Sequence, residues 1–428
     1  ARILTYGDNT WNKYGYENYA GADHQLVFNF SGTDDEGISG DYTAGIEQRA
    51  PDVNGAIPNE VTEYITLSDG NWDDEMNWAR YDSDTDTQEP AGDGVPAGGP
   101  RGAIIFVDAG HTLTIPDNYI SAYKTRIEAG ATLDVGTTFG HRLGIVTGTG
   151  TLYLENNDAL PAGIYGEFFN VGGGTLHLNA TINHNIPPIT EVNNIIFTGS
   201  NWQYFPNNNI TIHGNFIIDG GRPYQKSHKS VYLEGDLELI SGRIKFDYYR
   251  YNNFIFNGTN NQTISGEMMT EGVRAFSNIV IDKSSSDLNM LNNVLVIESL
   301  ELKNGMVNTG TNATYHLKNS SSMFGGSSSS HINGPLFKEL NSSTDFTFPI
   351  GKDGRYRPLE IQSPTEDAQW QAEYFTSNDN LTTGSGLETV SANDRWVLED
   401  VSGNHPEAKV KLTWGPETNV SEHFDDYS

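Results

Sequence analysis

The residues whose type and spacing best suit chemistry are acids. Between Asp69 and Asp93 the chain carries Asp69, Asp73, Asp74, Glu75, Asp82, Asp84, Asp86, Glu89 and Asp93 against one base, Arg80. The D-x-D-x-D of Asp82, Asp84 and Asp86 sets alternate carboxylates side by side, an arrangement that suits Ca2+, a hard cation preferring oxygen. Asp93 falls at the twelfth position of such a loop. The sixth is Thr87 instead of the sharp-turn Gly and no helices flank the segment, so an EF-hand is excluded. Asp82, Asp84, Asp86 and Asp93 are the candidate Ca2+ ligands; the plainer alternative is a solvated acidic loop. Asp34, Asp35, Glu36 and Asp41 form a second such loop.

Next in interest is RIKFDYYRYNNF, with Tyr248, Tyr249, Arg250 and Tyr251 in one run. Tyrosine rings beside a guanidinium stack on sugar rings while hydrogen-bonding their hydroxyls or carboxylates. On an outer face this run is a glycan-contact site; otherwise its rings pack at an ordinary turn. The eleven histidines are scattered without metal-ligand spacing and read as turn and surface residues. No G-x-S-x-G, phosphate loop or dinucleotide fingerprint sits at a strand-to-helix junction.

The elements that must position these residues are short strands. The chain has 428 residues, 36% of them hydrophobic and 11% aromatic, with 46 glycines. A polar chain rich in Gly and Asn yet aromatic suits an elongated β architecture with many turns. Its formal charge of −31, from 56 acids and 25 bases, disfavours nucleic acid and anionic membrane, attracts divalent cations and keeps an extracellular protein soluble. Without cysteine there is no disulfide framework and no thiolate metal site. No apolar run reaches the 18–20 or so residues of a membrane-spanning helix. The opening ARILTYGDNT and the ending SEHFDDYS read as a mature or partial piece of a longer chain.

Helical periodicity is almost absent, whereas one phrase recurs: a Gly-containing turn, then small-polar, apolar, polar, apolar. It appears as GATLDV at 130, GTLYLE at 150, GTLHLN at 174, GDLELI at 235 and ESLELK at 298. Alternation sends one set of side chains inward, and recurrence every 20 or so residues reads as a solenoid. The expected fold class is therefore all-β: a right-handed parallel β-helix with an N-terminal β-rich cap module and a C-terminal β-sandwich-like domain. A chain of β-sandwiches is the alternative, disfavoured by the scarcity of Asn-Gly and Asp-Gly hairpin signals. The expected boundaries are 1–103 for the cap module, 104–319 for roughly ten coils, 320–330 for a Ser/Gly linker and 331–428 for an incomplete sandwich. Trp72 and Trp78 are the candidates for covering the open end of the first coil.

Two stretches carry a resemblance. SDGNWDDEMNW followed by GVPAGGPRGAIIFVDAGHTLTI resembles the opening of large surface proteins of Bacteroidetes, and FTFPIGKDGRYRPLEI resembles a segment that follows their β-helical regions. These proteins are type IX secretion substrates, including gliding-motility-associated adhesins. The resemblance implies secretion, display on the bacterial cell surface and contact with the secretion machinery through a segment not in this chain. It implies no catalytic residues.

Three functions follow as expectations. The first is a non-catalytic adhesive surface protein, a stiff solenoid presenting contacts to an extracellular polysaccharide or a surface. The second is a β-helical lyase or hydrolase of polysaccharides, which needs paired acids, or Ca2+ with a base, on one outward face. The outward acids Glu128, Asp134, Glu155, Glu234, Glu238 and Glu301 form no tight pair by sequence. The third is cargo of the secretion or gliding machinery.

Overall fold

The computed structural model describes residues 61–246, 253–266, 274–310, 315–379, 381–386 and 390–418, and the backbone of five strands nearer the N-terminus. The chain divides into two compact units, 1–61 and 62–428. In the first, Arg2–Gly7 pairs antiparallel with Thr10–Lys13 and with Tyr42–Gly45, and Asn18–Ala20 with Gln25–Val27. The acidic loop of Asp34, Asp35, Glu36 and Asp41 lies outside the described residues.

The second unit is a parallel β-solenoid of about ten turns in a chain that is 50% strand and 3% helical. One sheet, sheet I, runs through it as twelve strands from Gly70–Asn71 to Ile332–Asn333. In the first turns it faces sheet II, built from Glu63–Thr66, Ala103–Val107, Ala122–Ile127, Arg142–Gly148 and Ala162–Ile164. From residue 184 each turn has two further strands. Sheet III comprises His184–Asn185, Trp202–Tyr204, Arg222–Gln225 and Ile244–Phe246. Sheet IV starts with Glu191–Val192, Ile210–Ile212, Val231–Leu233 and Asn253–Phe256. The long strand Arg274–Asp282 joins both. A parallel strand cannot pair with its own turn, so every ladder bond ties one turn to the next.

The interior follows from this register. Leu113, Leu133, Leu152, Leu176, Ile195, Phe216, Leu237 and Ile264 lie over one another on successive turns of sheet I, all fully buried. Between sheets, where the chain turns, side chains continue the pairing that the strands leave off. Asn194 Oδ1 accepts the Asn215 amide at 2.8 Å, Asn215 Oδ1 the Asp236 amide at 3.1 Å, and Asp236 Oδ1 the Thr263 amide at 2.7 Å. Gly148, at φ +97°, is needed at one such corner: a Cβ there would lie 2.0 Å from the Ile127 carbonyl oxygen.

Three boundaries differ from the sequence expectation. Strands Glu63–Thr66 and Gly70–Asn71 already pair parallel with the next turn, so the solenoid takes in residues ahead of 104, and the division falls at 61/62. Trp72 and Trp78 are fully buried at this end, their rings edge-to-face at 5.3 Å, with Trp72 Nε1 donating to the Pro100 carbonyl. The segment 320–330 is no linker. Ser322–Gly325 pairs parallel with Ser299–Leu302 of the preceding turn, and buried Ser330 donates to the Gly305 carbonyl at 3.1 Å. Backbone pairing holds this turn, and backbone pairing leaves no hydrophobic signature. Beyond 331, Leu336–Leu340 pairs parallel with Tyr315–Leu317 on one side and antiparallel with Ala368–Phe375 on the other. A second antiparallel sheet of Phe346–Phe348, Leu359–Gln362 and Lys409–Leu412 completes a sandwich-like end that shares the solenoid's core.

Two buried lysines also close corners. Lys283 Nζ, in a residue only 1% exposed, donates to the Gly258 and Asn260 carbonyls and to Gln262 Oε1 at 2.7–2.9 Å. Lys338 Nζ does the same with the Lys318, Asn319 and Ser321 carbonyls. Replacing Leu176 by Ala is expected to cost about 2–5 kcal/mol through the cavity it leaves. Lys283→Met, although it adds apolar surface, is expected to cost about 1–3 kcal/mol because it removes three charge-assisted hydrogen bonds from the corner. Urea unfolding followed by circular dichroism checks both, and a Lys283→Met variant as stable as the parent would contradict the role given to the ammonium.

Candidate functional site

The acidic segment folds as a hairpin. Trp78–Asp82 pairs antiparallel with Thr87–Gln88, placing Asp82 opposite Thr87 and residues 83–86 at the tip. Asp82 Oδ1 accepts the amides of Asp84 and Thr85 at 3.0 and 3.3 Å, and the Thr85 hydroxyl holds its carboxyl below the usual range. Asp86, at φ 53°, accepts the Tyr81 hydroxyl at 2.9 Å. Asp93 lies in a separate turn whose amide donates to the Pro90 carbonyl. Alternate residues share a side only while the chain stays extended, and here it reverses between the first and third acids. Among the described residues no three His, Asp or Glu side chains are placed to hold a metal ion. Asp82 and Asp86 are thus bonded within the hairpin tip, and the structure does not gather Asp82, Asp84, Asp86 and Asp93 into one cluster.

Tyr248, Tyr249, Arg250 and Tyr251 lie outside the described residues. The strand that leads into them, Ile244–Phe246, belongs to sheet III, whose outward face carries rings and bases. Strand alternation turns Gln203, Pro223, Gln225, Ile244 and Phe246 inward, all buried. Their neighbours Trp202, Tyr204, Arg222, Tyr224 and Lys245 point out. In register, Trp202 lies beside Arg222, Tyr204 beside Tyr224, and Tyr224 beside Lys245. Ring centroids are 5.4 Å apart for Trp202 and Tyr224 and 5.6 Å for Tyr204 and Tyr224. Two ammonium groups sit over these rings: Lys226 Nζ is 3.1 Å from the Tyr204 centroid, and Lys245 Nζ is 4.6 Å from that of Tyr224.

Comparison with protein-family models, curated proteins and solved structures finds no match to this chain. The likeness to type IX substrates thus rests on its short motifs, and function must be argued from side chains.

Most outward acids weighed from the sequence are engaged by neighbours. Glu128 pairs with Arg126 at 2.6 Å, Glu155 accepts from Asn179 and Thr181 at 3.2 Å, and Glu234 Oε2 lies 2.8 Å from His213 Nδ1. Glu301 has Lys303 at 3.9 Å. Asp134 accepts the Gly136 amide, and burial pushes its carboxyl up. It pairs in register with Tyr153, two residues before Glu155, so Asp134 and Glu155 share a face on adjacent turns. Open hollows occur among the described residues at two places. One of about 430 Å³ contains the Lys318–Glu339 ion pair and His316 stacked on Phe337; one of about 300 Å³ lies beside Tyr81, Phe106, Asp108, Arg126 and Glu128.

The ring-and-cation face escaped sequence reasoning because W-Q-Y at 202, R-P-Y-Q-K at 222 and R-I-K-F at 243 are unremarkable singly. Laid over one another at a spacing of about 20 residues, they align rings and bases, which was the available signal.

Several histidines are buried, not superficial. His141, His184 and His331 are at most 6% exposed. Burial holds all three, with His177, below the usual imidazole range, and pushes His316 down to about 4. An unfolded chain takes up these protons near pH 6.5 while the folded one refuses them, so stability falls as pH drops from 6.5 towards 4. Each histidine contributes at most about 1.4 kcal/mol per pH unit. Between pH 6.5 and 5, before most carboxylates protonate, the melting temperature is expected to drop. A flat profile there would show that these rings are protonated in the fold.

Proposed function

We propose that this chain is a non-catalytic, adhesive protein of the bacterial cell surface whose solenoid presents contact faces to extracellular polysaccharide. The observation that carries the reading is the outward face of sheet III, where Trp202, Tyr204 and Tyr224 recur on adjacent turns with bases between them. Sugars bind proteins through C–H faces laid on aromatic rings and through hydroxyls bonded to polar groups at the ring edges. A row of such rings along a solenoid meets an extended polymer at several points, and the gain is avidity instead of one deep pocket. The continuous inter-turn ladders give that row a rigid support. Secretion and surface display are supported by the motif resemblance around Trp72, Trp78 and 346–361.

The hydrolase or lyase reading draws support from Asp134 and Glu155 on adjacent turns, but Glu155 is tied to Asn179 and Thr181. The two readings separate in one experiment with the full chain on immobilised dextran and alginate. Contact through sheet III predicts that Trp202→Ala weakens binding about tenfold, close to 1.4 kcal/mol, with an unchanged melting temperature. No new reducing ends or unsaturated sugars should appear. Glycan cleavage abolished by Asp134→Asn would establish the enzyme instead, and retention by Trp202→Ala at parental strength would remove the contact face.

A further inference from the structure

We infer that the chain self-associates as a two-fold dimer through Arg395–Asp400, a free edge of the terminal sandwich that pairs antiparallel with the same strand of a second copy. This pairing is independent of what the solenoid binds. Arg395–Asp400 has one strand neighbour, Ala368–Phe375, in antiparallel register from Phe375 opposite Arg395 to Trp370 opposite Asp400. The Val401 amide donates to the Gln369 carbonyl at 2.8 Å, which fixes the alternation. Residues 395, 397 and 399 exchange bonds with that neighbour, and the amides and carbonyls of Trp396 and Leu398 point the other way. Among the described residues nothing bonds to them. Such an edge is a template for another strand unless proline, a bulge or lysines blunt it. Here the register is unbroken and the strand reads RWVLED.

The sandwich core is also left open at this strand. On the inward face Ala372 and Tyr374 are fully buried, whereas Leu398 and Trp396, in register with them, are half-buried. Both pack against the core, with the Trp396 ring 5.4 Å from that of Tyr374. A strand laid beyond them would cover the apolar surface they still expose.

The edge itself names its occupant. Two identical antiparallel strands close about a two-fold axis perpendicular to the sheet, which passes beside one residue. With Val397 opposite its own copy, Arg395 meets Glu399 of the second copy and Trp396 meets Leu398 of the second copy, each contact made twice. Opposite residues share a face, so the Arg–Glu pairs lie outward and the Trp–Leu pairs continue the core. In the same register Trp396 and Leu398 form a hydrogen-bonded pair, each amide donating to the other's carbonyl, and these are the groups left free. An axis beside Leu398 would instead set Trp396 against Asp400, whose carboxylate accepts the Ser402 and His405 amides of its own turn. The last strand of the second sheet, Lys409–Leu412, fails the same operation, because about Val410 it sets Lys409 against Lys411. The formal charge of −31 on each copy opposes approach, and a contact through 395–399 is small, so the dimer is weak.

Sedimentation velocity of the full chain in about 0.15 M salt tests this, with Arg395→Glu, Glu399→Arg and the double variant. The parent is expected to pass from monomer towards dimer between about 1 and about 100 µM. Each single variant sets like charges opposite each other twice and should weaken association about tenfold. An equimolar mixture of the two single variants brings opposite charges together again and should associate as the parent does, as should the double variant. A misfolded variant could not be rescued by mixing. A parent that stays monomeric at about 100 µM overturns the inference, as does association that ignores both reversals or is not restored by mixing. The competing occupant, a strand of the same chain, would give a monomer whose Trp396 and Leu398 amides resist hydrogen exchange at every concentration. The dimer protects them only as concentration rises.

Discussion

In a parallel coil no strand can satisfy its backbone within its own turn. The backbone along Thr151–Glu155, for example, finds its partners at residues 131–136 before it and Thr175–Ala180 after it. The requirement fixes the register of each turn against the last, and a slip of one residue would turn every inward side chain out. Leucine over leucine from Leu113 to Leu176 follows from that register. Length is therefore added turn by turn on the same terms, and the core has no centre.

The corners are the harder problem, because there the strands stop pairing while the backbone is still close to the interior. The solution is polar. Asn194, Asn215 and Asp236 extend the ladder through their side chains, and Gln262 supplies its carbonyl oxygen to both the Gly258 amide and the Lys283 ammonium. An ammonium inside a corner satisfies three acceptors at once, which no neutral side chain of that reach does. Its desolvation is a real cost, visible in the Lys283 and Lys338 amines being pushed down to about 8. The cost is borne because leaving carbonyl oxygens unpaired in those corners would be worse.

This division explains what the sequence disclosed. Sheet I was legible because its inward residues are Leu, Ile and Phe in strict alternation, as in GTLYLE and GTLHLN. Trp202–Tyr204 and Arg222–Gln225 were not, because Gln203, Pro223 and Gln225 fill their inward positions. Gln203 is satisfied by donating to the Leu178 and Thr198 carbonyls, a partnership between residues 5 and 25 apart that no local pattern encodes. The serine-rich stretch from Ser320 misled for the same reason: backbone pairing and serine hydroxyls bonded to residues distant in sequence hold a turn that shows no hydrophobic pattern. The acidic run shows its spacing but not its path, since the chain reverses at Ser83–Asp86 and the carboxylate of Asp82 accepts amides of its own turn.

Register also decides where chemistry is free to vary. Inward positions are bound by stacking and corners by hydrogen bonds, which leaves the outward positions of each sheet. There a residue's neighbours are the residues about 20 before and after it, so a preference repeated once per turn becomes a continuous stripe. On sheet I the outward stripe is asparagine at Asn289, Asn308 and Asn333, each amide donating to the one before, and it is consumed in holding turns together. On sheet III the same geometry lines up the rings of Trp202, Tyr204 and Tyr224 with ammonium groups over them. Side chains repeated in register on an outward face are where a solenoid can hold a function, and on sheet III they are the rings and bases on which the proposed sugar contact rests.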